Sequence, residues 1–192
     1  ETGFVAASAG NHAQGVAYSA TSVGSRSYIV MPEQTPLVKL VATQNYGAEA
    51  ILHGRYYDEC YAHARKLEKE KGYTFVHAFE DDEVIAGQGT VGLEILEQAK
   101  DLDSIVVAVG GGGLISGIAT AVKAINPKCR IFGATAKNAP GMDNLFHKKK
   151  YDTSQFSATI ADGIAVKEPS EMVYEKYISK LVDDIHSVDE DQ

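Results

Sequence analysis

The chain has 192 residues, 44% of them apolar, enough to bury one large core or two smaller ones. Lys and Arg number 18 and Asp and Glu 26, a formal charge of 18 − 26 = −8, so the surface repels phosphate backbones and nucleic acid is not an expected partner. No apolar run reaches the ~18 residues that span a bilayer and no signal peptide opens the chain, so no membrane partner is expected either. Cys60 and Cys129 stand apart, without CxxC or zinc-finger spacing. They read as isolated buried thiols, which fits a reducing, cytoplasmic location.

Strand and helix signals alternate along the chain. Phe4-Val5-Ala6-Ala7 is a short apolar strand ending in Ser8-Ala9-Gly10-Asn11. His12 to Val23 is rich in small residues and suits a helix closed by Gly24. Ser27 to Met31 is the next strand, stopped by Pro32; Pro36 then opens a helix from Leu37 to Tyr46. Ala48 to His53 is strand-like, Tyr56 to Lys71 an amphipathic helix stopped by Gly72, and Tyr73 to Val76 a fourth strand.

The second half repeats the scheme. Val84 to Lys100 reads as helical despite Gly87, Gly89 and Gly92. Ser104 to Val109 is a continuous apolar run, as expected of a parallel strand covered on both faces. Gly110 to Gly113 follow, then a helix from Leu114 to Ile125 and a strand from Arg130 to Ala134. Residues 137–160, including Lys148-Lys149-Lys150, read as a polar, solvated connection. Pro169 to Lys180 is helical and Asp184 to Val188 a last strand.

This alternation predicts an α/β fold of two open, mostly parallel sheets flanked by helices. The acidic turn Glu80-Asp81-Asp82-Glu83 divides the chain into a small α/β domain, residues 1–82, and a partial larger one, residues 83–192. A single continuous sheet is the alternative.

Two turns carry the chemistry. Gly110-Gly111-Gly112-Gly113 lies between a buried strand and a helix, where free backbone amides and the helix dipole favour an anion. Glycine there removes any β-carbon that would block a phosphate or resist positive φ. No Lys-Ser/Thr follows, so the turn is not a Walker A site, and Ala134-Thr135-Ala136 lacks the acidic residue of a dinucleotide site. A small organic phosphate, without a metal, is the expected ligand; a ligand-free tight turn is the plain alternative. Ser8, Gly10, Asn11 and His12 cluster at the carboxyl end of the first strand, where open α/β sheets bind ligands. Their hydroxyl, amide and backbone N–H groups can hold a carboxylate, although Ser8 or Asn11 is equally readable as a helix N-cap. His53, His63, His77 and His147 show no metal spacing, and no metal site is expected. Tyr56, Tyr57 and Tyr61 read as a packed helix face.

Four segments in order carry a more specific signal. They are Val5-Ala6-Ala7-Ser8-Ala9-Gly10-Asn11-His12-Ala13-Gln14-Gly15-Val16-Ala17, Ile85-Ala86-Gly87-Gln88-Gly89-Thr90, Val109-Gly110-Gly111-Gly112-Gly113-Leu114-Ile115-Ser116-Gly117 and Ala161-Asp162-Gly163-Ile164-Ala165-Val166. The series closely resembles the threonine dehydratase (threonine ammonia-lyase) and serine racemase group of fold-type II pyridoxal-phosphate enzymes. The resemblance implies a tryptophan synthase β-like fold and deaminating β-elimination of L-threonine or L-serine to a 2-oxo acid and ammonia.

By matching positions, the resemblance implies that Gly110, Gly111, Gly112, Gly113 and Leu114 hold the phosphate of pyridoxal 5'-phosphate. Asn11 would hydrogen-bond the ring hydroxyl, and the backbone of Gly163 would lie near the ring. Ser8, Ala9, Gly10 and His12 would receive the substrate carboxylate. Serine racemases carry an acid/base serine where this chain has Ala9, so the dehydratase pattern is the better match, and Phe79 after His77-Ala78 resembles dehydratases too. Thr135 stands where relatives often carry Glu, which speaks against a divalent-cation site of the serine racemase kind.

The chain departs from the family in one respect that matters. The cofactor-anchoring lysine precedes the Ser-Ala-Gly-Asn-His turn in the family, and none of the 14 lysines here has that context. The late Ser-Gly-Gly-Asn turn that contacts the pyridine nitrogen has no counterpart either. We therefore expect an excised or engineered core, catalytically incompetent alone, with weak non-covalent cofactor binding or none. The rival reading is an engineered α/β scaffold or binding module for a small anion, without catalysis. A small amino acid or anion is the expected partner, and a homo-oligomer is compatible with the sequence.

Overall fold

The computed structural model describes residues 3–150 and 152–191. Glu1, Thr2, Tyr151 and Gln192 lie outside the described residues. The chain forms two compact units, Glu1–Ala78 and Phe79–Gln192.

The first unit is a four-stranded parallel sheet in the order β3-β2-β1-β4, with β1 (Phe4–Ala7), β2 (Ser27–Met31), β3 (Glu49–Leu52) and β4 (Thr74–Phe75). Side chains on a strand alternate between faces, and the core obeys that period. Ala6, Ile29 and Met31 bury against Ala13, Val16 and Ala17 of α1 (Asn11–Ser22). Val5, Ala7 and Val30 bury on the opposite face against Cys60 and Ala64 of α3 (Tyr57–Lys71). The alanines of α1 let that helix sit close to the sheet. At the start of α3, Glu59 turns back to accept from the Arg55 and Tyr56 amides, and Gly72 ends the helix at φ 71°. The helix α2 (Leu37–Asn45) buries little: Leu37 and Val38 are 71% and 75% exposed.

The second unit is a three-stranded parallel sheet in the order β5-β6-β7, with β5 (Ser104–Ala108), β6 (Arg130–Ala136) and β7 (Asp184–Val188). Two sheets form, not the single continuous one. The expectation that the 104–109 run is covered on both faces fails: β5 is an edge strand and Val106 is 69% exposed. Its hydrophobicity marks a face left bare within these residues. The main core lies on the side of α5 (Gly113–Ile125), where Val107, Val109, Ile115, Ile118, Val122, Ile131 and Ile185 meet. Asp183 ties the layers at their rim, accepting from the Ile131 amide at 2.7 Å and from Lys123 of α5 at 2.9 Å.

The helix α4 (Asp82–Gln98) crosses α5 closely, and its glycines explain how. A β-carbon on Gly117 would overlap the carbonyl oxygen of Ile85. One on Gly92 would stand 3.1 Å from the Ile118 carbonyl oxygen, and one on Gly89 3.2 Å from that of Gly117. Gly87 faces open space. The Asp81 carboxylate accepts from the Glu83 and Val84 amides and so N-caps α4; the acidic run read as a boundary is the start of a helix.

The 137–160 connection is not all loop. It contains α6 (Gly141–Phe146), whose Met142, Asp143 and Asn144 are buried, and a 3₁₀ turn at Thr153–Gln155. Polarity hid α6, because Asp143 is buried by pairing: it accepts from Ser187 Oγ and His147 Nδ1, each at 2.8 Å. The helical stretch before β7 comprises α7 (Glu171–Val173), a π-helical turn Tyr174–Ile178 and α8 (Ser179–Leu181).

The α4–α5 crossing makes a paired prediction. Gly117→Ala should lower stability by about 1–3 kcal/mol in urea denaturation through overpacking. Gly87→Ala should be neutral or stabilising by up to about 1 kcal/mol, because an exposed helical glycine gains from a β-carbon.

A pH prediction follows from unit one, where the His53 and His63 rings stack with centroids 4.0 Å apart. Burial, and then the neighbouring His53 charge, lower the His63 pKa from its ordinary 6.5. The unfolded chain then binds the proton more readily, so this contribution is complete above about pH 6.5 and is lost as pH falls. The denaturation midpoint should drop between pH 7 and 5 more steeply in the wild type than in His63→Gln.

Candidate functional site

Each unit presents one of the two predicted turns. In the first, Ser8 follows β1, and its amide donates to the Val30 carbonyl of β2 at 3.1 Å, which carries the strand's register into the turn. The Ser8 hydroxyl accepts from the Gly10 amide at 3.1 Å. That contact uses an oxygen lone pair and leaves the O–H free to donate. The N-cap of α1 is Gly10, with no side-chain cap, so the reading of Ser8 or Asn11 as a capping residue does not hold. Asn11 is the first helical residue, exposed, and its amide group meets no partner among the described residues. His12 places Nε2 3.0 Å from the Val76 carbonyl. A carbonyl only accepts, so Nε2 carries the hydrogen, and the ring ties the start of α1 to the segment following β4.

In the second unit, Gly110 to Gly112 link β5 to α5, whose first residues are Gly113 and Leu114. Gly112 is the N-cap, at φ 97°, a conformation that strains any residue with a side chain. Among the described residues, no acceptor faces the amides of Gly110 to Leu114, while the Gly112 carbonyl already accepts from Ser116 at 3.1 Å. Unpaired amides at the positive end of a long helix fit a phosphate group, and the residues present therefore suit that part of a cofactor.

The reason for the glycines differs from the one anticipated. Protein atoms, not only a ligand, fill the space where β-carbons would stand. One on Gly110 would lie 2.9 Å from Val166 Cγ2 and 3.0 Å from the Ile164 carbonyl oxygen. One on Gly111 would fall within the Phe79 ring. One on Gly112 would press on Ile178, Val173 and Met142 at 2.8–3.1 Å. Close packing by itself accounts for these glycines, and the argument for an anion rests on the free amides. The same contacts bring the Gly163 segment to the turn: Gly163 lies in the 3₁₀ turn Asp162–Ile164, with open space beside it, and Ile164 backs onto Gly110.

Sequence reasoning missed Val166, Met142, Val173 and Ile178 as neighbours of this turn, and noted Phe79 only by resemblance. Nothing in periodicity identifies such long-range contacts. Elsewhere, of the three tyrosines read as a packed helix face only Tyr61 packs against the core, with its ring 6.1 Å from that of Tyr57, whereas Tyr56 and Tyr57 are exposed. No metal-binding cluster of His, Cys, Asp or Glu occurs among the described residues, nor any helix long and apolar enough to cross a membrane. An open groove of about 430 Å³ on the outer side of α3, lined by Arg65, Lys66 and Lys69, contains none of the predicted residues.

The family model for pyridoxal-phosphate dependent enzymes matches residues 1–192, and the chain belongs to that family. Within it, the chain is 46% identical over 190 residues to the L-threonine ammonia-lyase of Thermotoga maritima, covering 99% of this chain and 47% of that protein. It is 47% identical over 192 residues to a catabolic L-threonine dehydratase of Staphylococcus aureus, covering all of this chain and 55% of the relative. Maize serine racemase superposes with a TM-score of 0.91 at 36% identity, covering 100% of this chain and 57% of that one. The processed threonine deaminase isoform 2 of Solanum lycopersicum gives 0.89 at 38%, covering 98% and 55%. The fold is thus that of the fold-type II enzymes, and the chain spans about half the length of the curated relatives it matches.

Both thiols are free and buried, as the sequence suggested. Burial pushes the Cys60 thiol up to about 11. At pH 8 the thiolate is therefore scarce, and Cys60 should resist alkylation in native buffer while reacting promptly in urea. Labelling at equal rates in the two conditions would contradict this placement.

Proposed function

We propose that the chain is the phosphate- and carboxylate-holding part of a pyridoxal-phosphate-dependent L-threonine or L-serine dehydratase, and that it does not turn over substrate alone. The glycine turn at the start of α5, whose amides meet no acceptor among the described residues, is the observation that carries the reading. Its Gly110 to Gly113 and Leu114 would hold the cofactor phosphate. Gly163 would lie with its backbone towards the cofactor ring, and Asn11, whose amide group has no protein partner among the described residues, would take the ring hydroxyl.

The cofactor, when bound, supplies an electron sink for bond changes at the substrate Cα. The chain's own residues would bind and orient. Ser8, oriented by the Gly10 amide, would donate its free hydroxyl hydrogen to the substrate carboxylate. The Gly10 and His12 backbone would complete that subsite, with the His12 ring engaged in holding the turn at Val76. Ala9 offers no acid or base, which suits elimination better than racemisation. None of the 14 lysines in these 192 residues has the context of the family's cofactor-anchoring residue, so these residues alone would not offer that base for the α-proton. The second reading is a binding module for a small anion, with no chemistry.

Titration with pyridoxal phosphate separates these readings. Reversible binding is expected, weakened at least about tenfold in Gly111→Asp, which would drive a side chain into the Phe79 ring and set a carboxylate against the phosphate. Borohydride should fix no cofactor to the protein. One cofactor fixed stoichiometrically on a single lysine would contradict the predicted incompetence, and no binding would contradict the phosphate site. Ammonia release from threonine or serine above the Gly111→Asp control would exclude the module without chemistry.

A further inference from the structure

Gly111 and Gly112 are held between two walls of the second unit. One wall is the approach to α4, where the Phe79 ring lies on Gly111. The other is the helical stretch from Glu171 to Leu181: Val173 Cγ1 and Ile178 Cδ1 would stand 3.0 Å and 2.8 Å from a β-carbon on Gly112. Asp82, the first residue of α4, joins these walls. Its Oδ2 accepts from Lys176 Nζ and its Oδ1 from Tyr177 Oη, the latter at 2.8 Å.

Both donors belong to the π-helical turn Tyr174–Ile178, which follows Val173 and ends on Ile178. Adjacent residues of an ordinary helix point about 100° apart. One carboxylate taking both Lys176 and Tyr177 is therefore a two-point grip that fixes direction as well as distance, and π-helical turns recur at functional sites. The start of α4 is in turn set by the overlap-limited crossing of Ile85 against Gly117, so it cannot adjust independently of α5.

We propose that Asp82 is a positioning residue for the glycine turn, latching with Lys176 and Tyr177 the two walls that hold the turn's amides in place. The proposal rests on the phosphate-site reading for its consequence, but not for its geometry. Asp82 touches no ligand in this scheme; it acts through Phe79 on one side and Val173 and Ile178 on the other. Hydrogen bonds from Lys176 and then Tyr177 hold the Asp82 carboxyl below the usual range, and the Asp82 contact raises Lys176, so both remain charged at neutral pH.

Amide hydrogen exchange tests the latch in the chain as it stands, alongside titration with inorganic phosphate. The Ser116 amide donates to Gly112 and reports on the turn; the Asn126 amide donates to Val122 and reports on the far end of α5. Asp82→Asn should speed exchange at Ser116 roughly threefold, as befits an exposed pair, leave Asn126 unchanged and weaken phosphate by a similar factor. Asp82→Glu, and the exchange of charges in Asp82→Lys with Lys176→Asp, should restore part of both effects. Unchanged exchange at Ser116, or equal acceleration at both amides, would overturn the proposal. A wild type that binds no phosphate, yet loosens at Ser116 on Asp82→Asn, would sink the phosphate reading and leave the latch standing.

Discussion

The start of α5 has almost no side chains of its own and is crowded by those of its neighbours. Phe79 lies on Gly111, Val166 and the Ile164 backbone on Gly110, and Met142, Val173 and Ile178 on Gly112. This packing demands glycine at three successive positions, holds Gly112 at φ 97°, and leaves the amides at the helix start without partners among the described residues. The turn is thus rigid because it is packed and receptive because it is unpaired. Those two properties together are what the proposed anion site requires, since a loop that had to order around its ligand would lose affinity to chain entropy.

The charge of the chain makes the local nature of this device plain. At −8 the molecule repels anions at long range, yet screening confines that repulsion to about 8–10 Å from each surface charge at ordinary ionic strength. Backbone amides and the helix dipole act at contact distance, where bulk charge matters little. The turn proposed for a carboxylate in the first unit would work likewise through Ser8 and backbone N–H groups, with no lysine or arginine in the turn. A site of this kind would recognise an anionic group's shape and hold it through backbone amides alone.

Much of this was legible in the sequence, for identifiable reasons. Strand–helix alternation gave the two parallel sheets, because each element has one periodicity and one place to bury it. The glycine run and the Ser8–His12 turn stood out because their composition makes no sense as core or as solvated surface. What escaped depended on distant residues. Gly89 and Gly92 read as weak points of α4 until Gly117 and Ile118 were placed opposite them. The helix α6 read as loop because Asp143 is polar, and only Ser187 and His147 make its burial tolerable. Val106 read as buried because an apolar strand carries no mark saying which of its faces is covered. The compact units divide between Ala78 and Phe79, while the acidic run used as a boundary proved to be the N-cap and first turn of α4.

Backbone amide NMR during titration with inorganic phosphate tests the central claim most directly. Saturable shifts centred on the amides of Gly110 to Leu114, with little change along the lysine-rich face of α3, are what this account predicts. Shifts confined to Arg65, Lys66 and Lys69, or none that saturate, would contradict it.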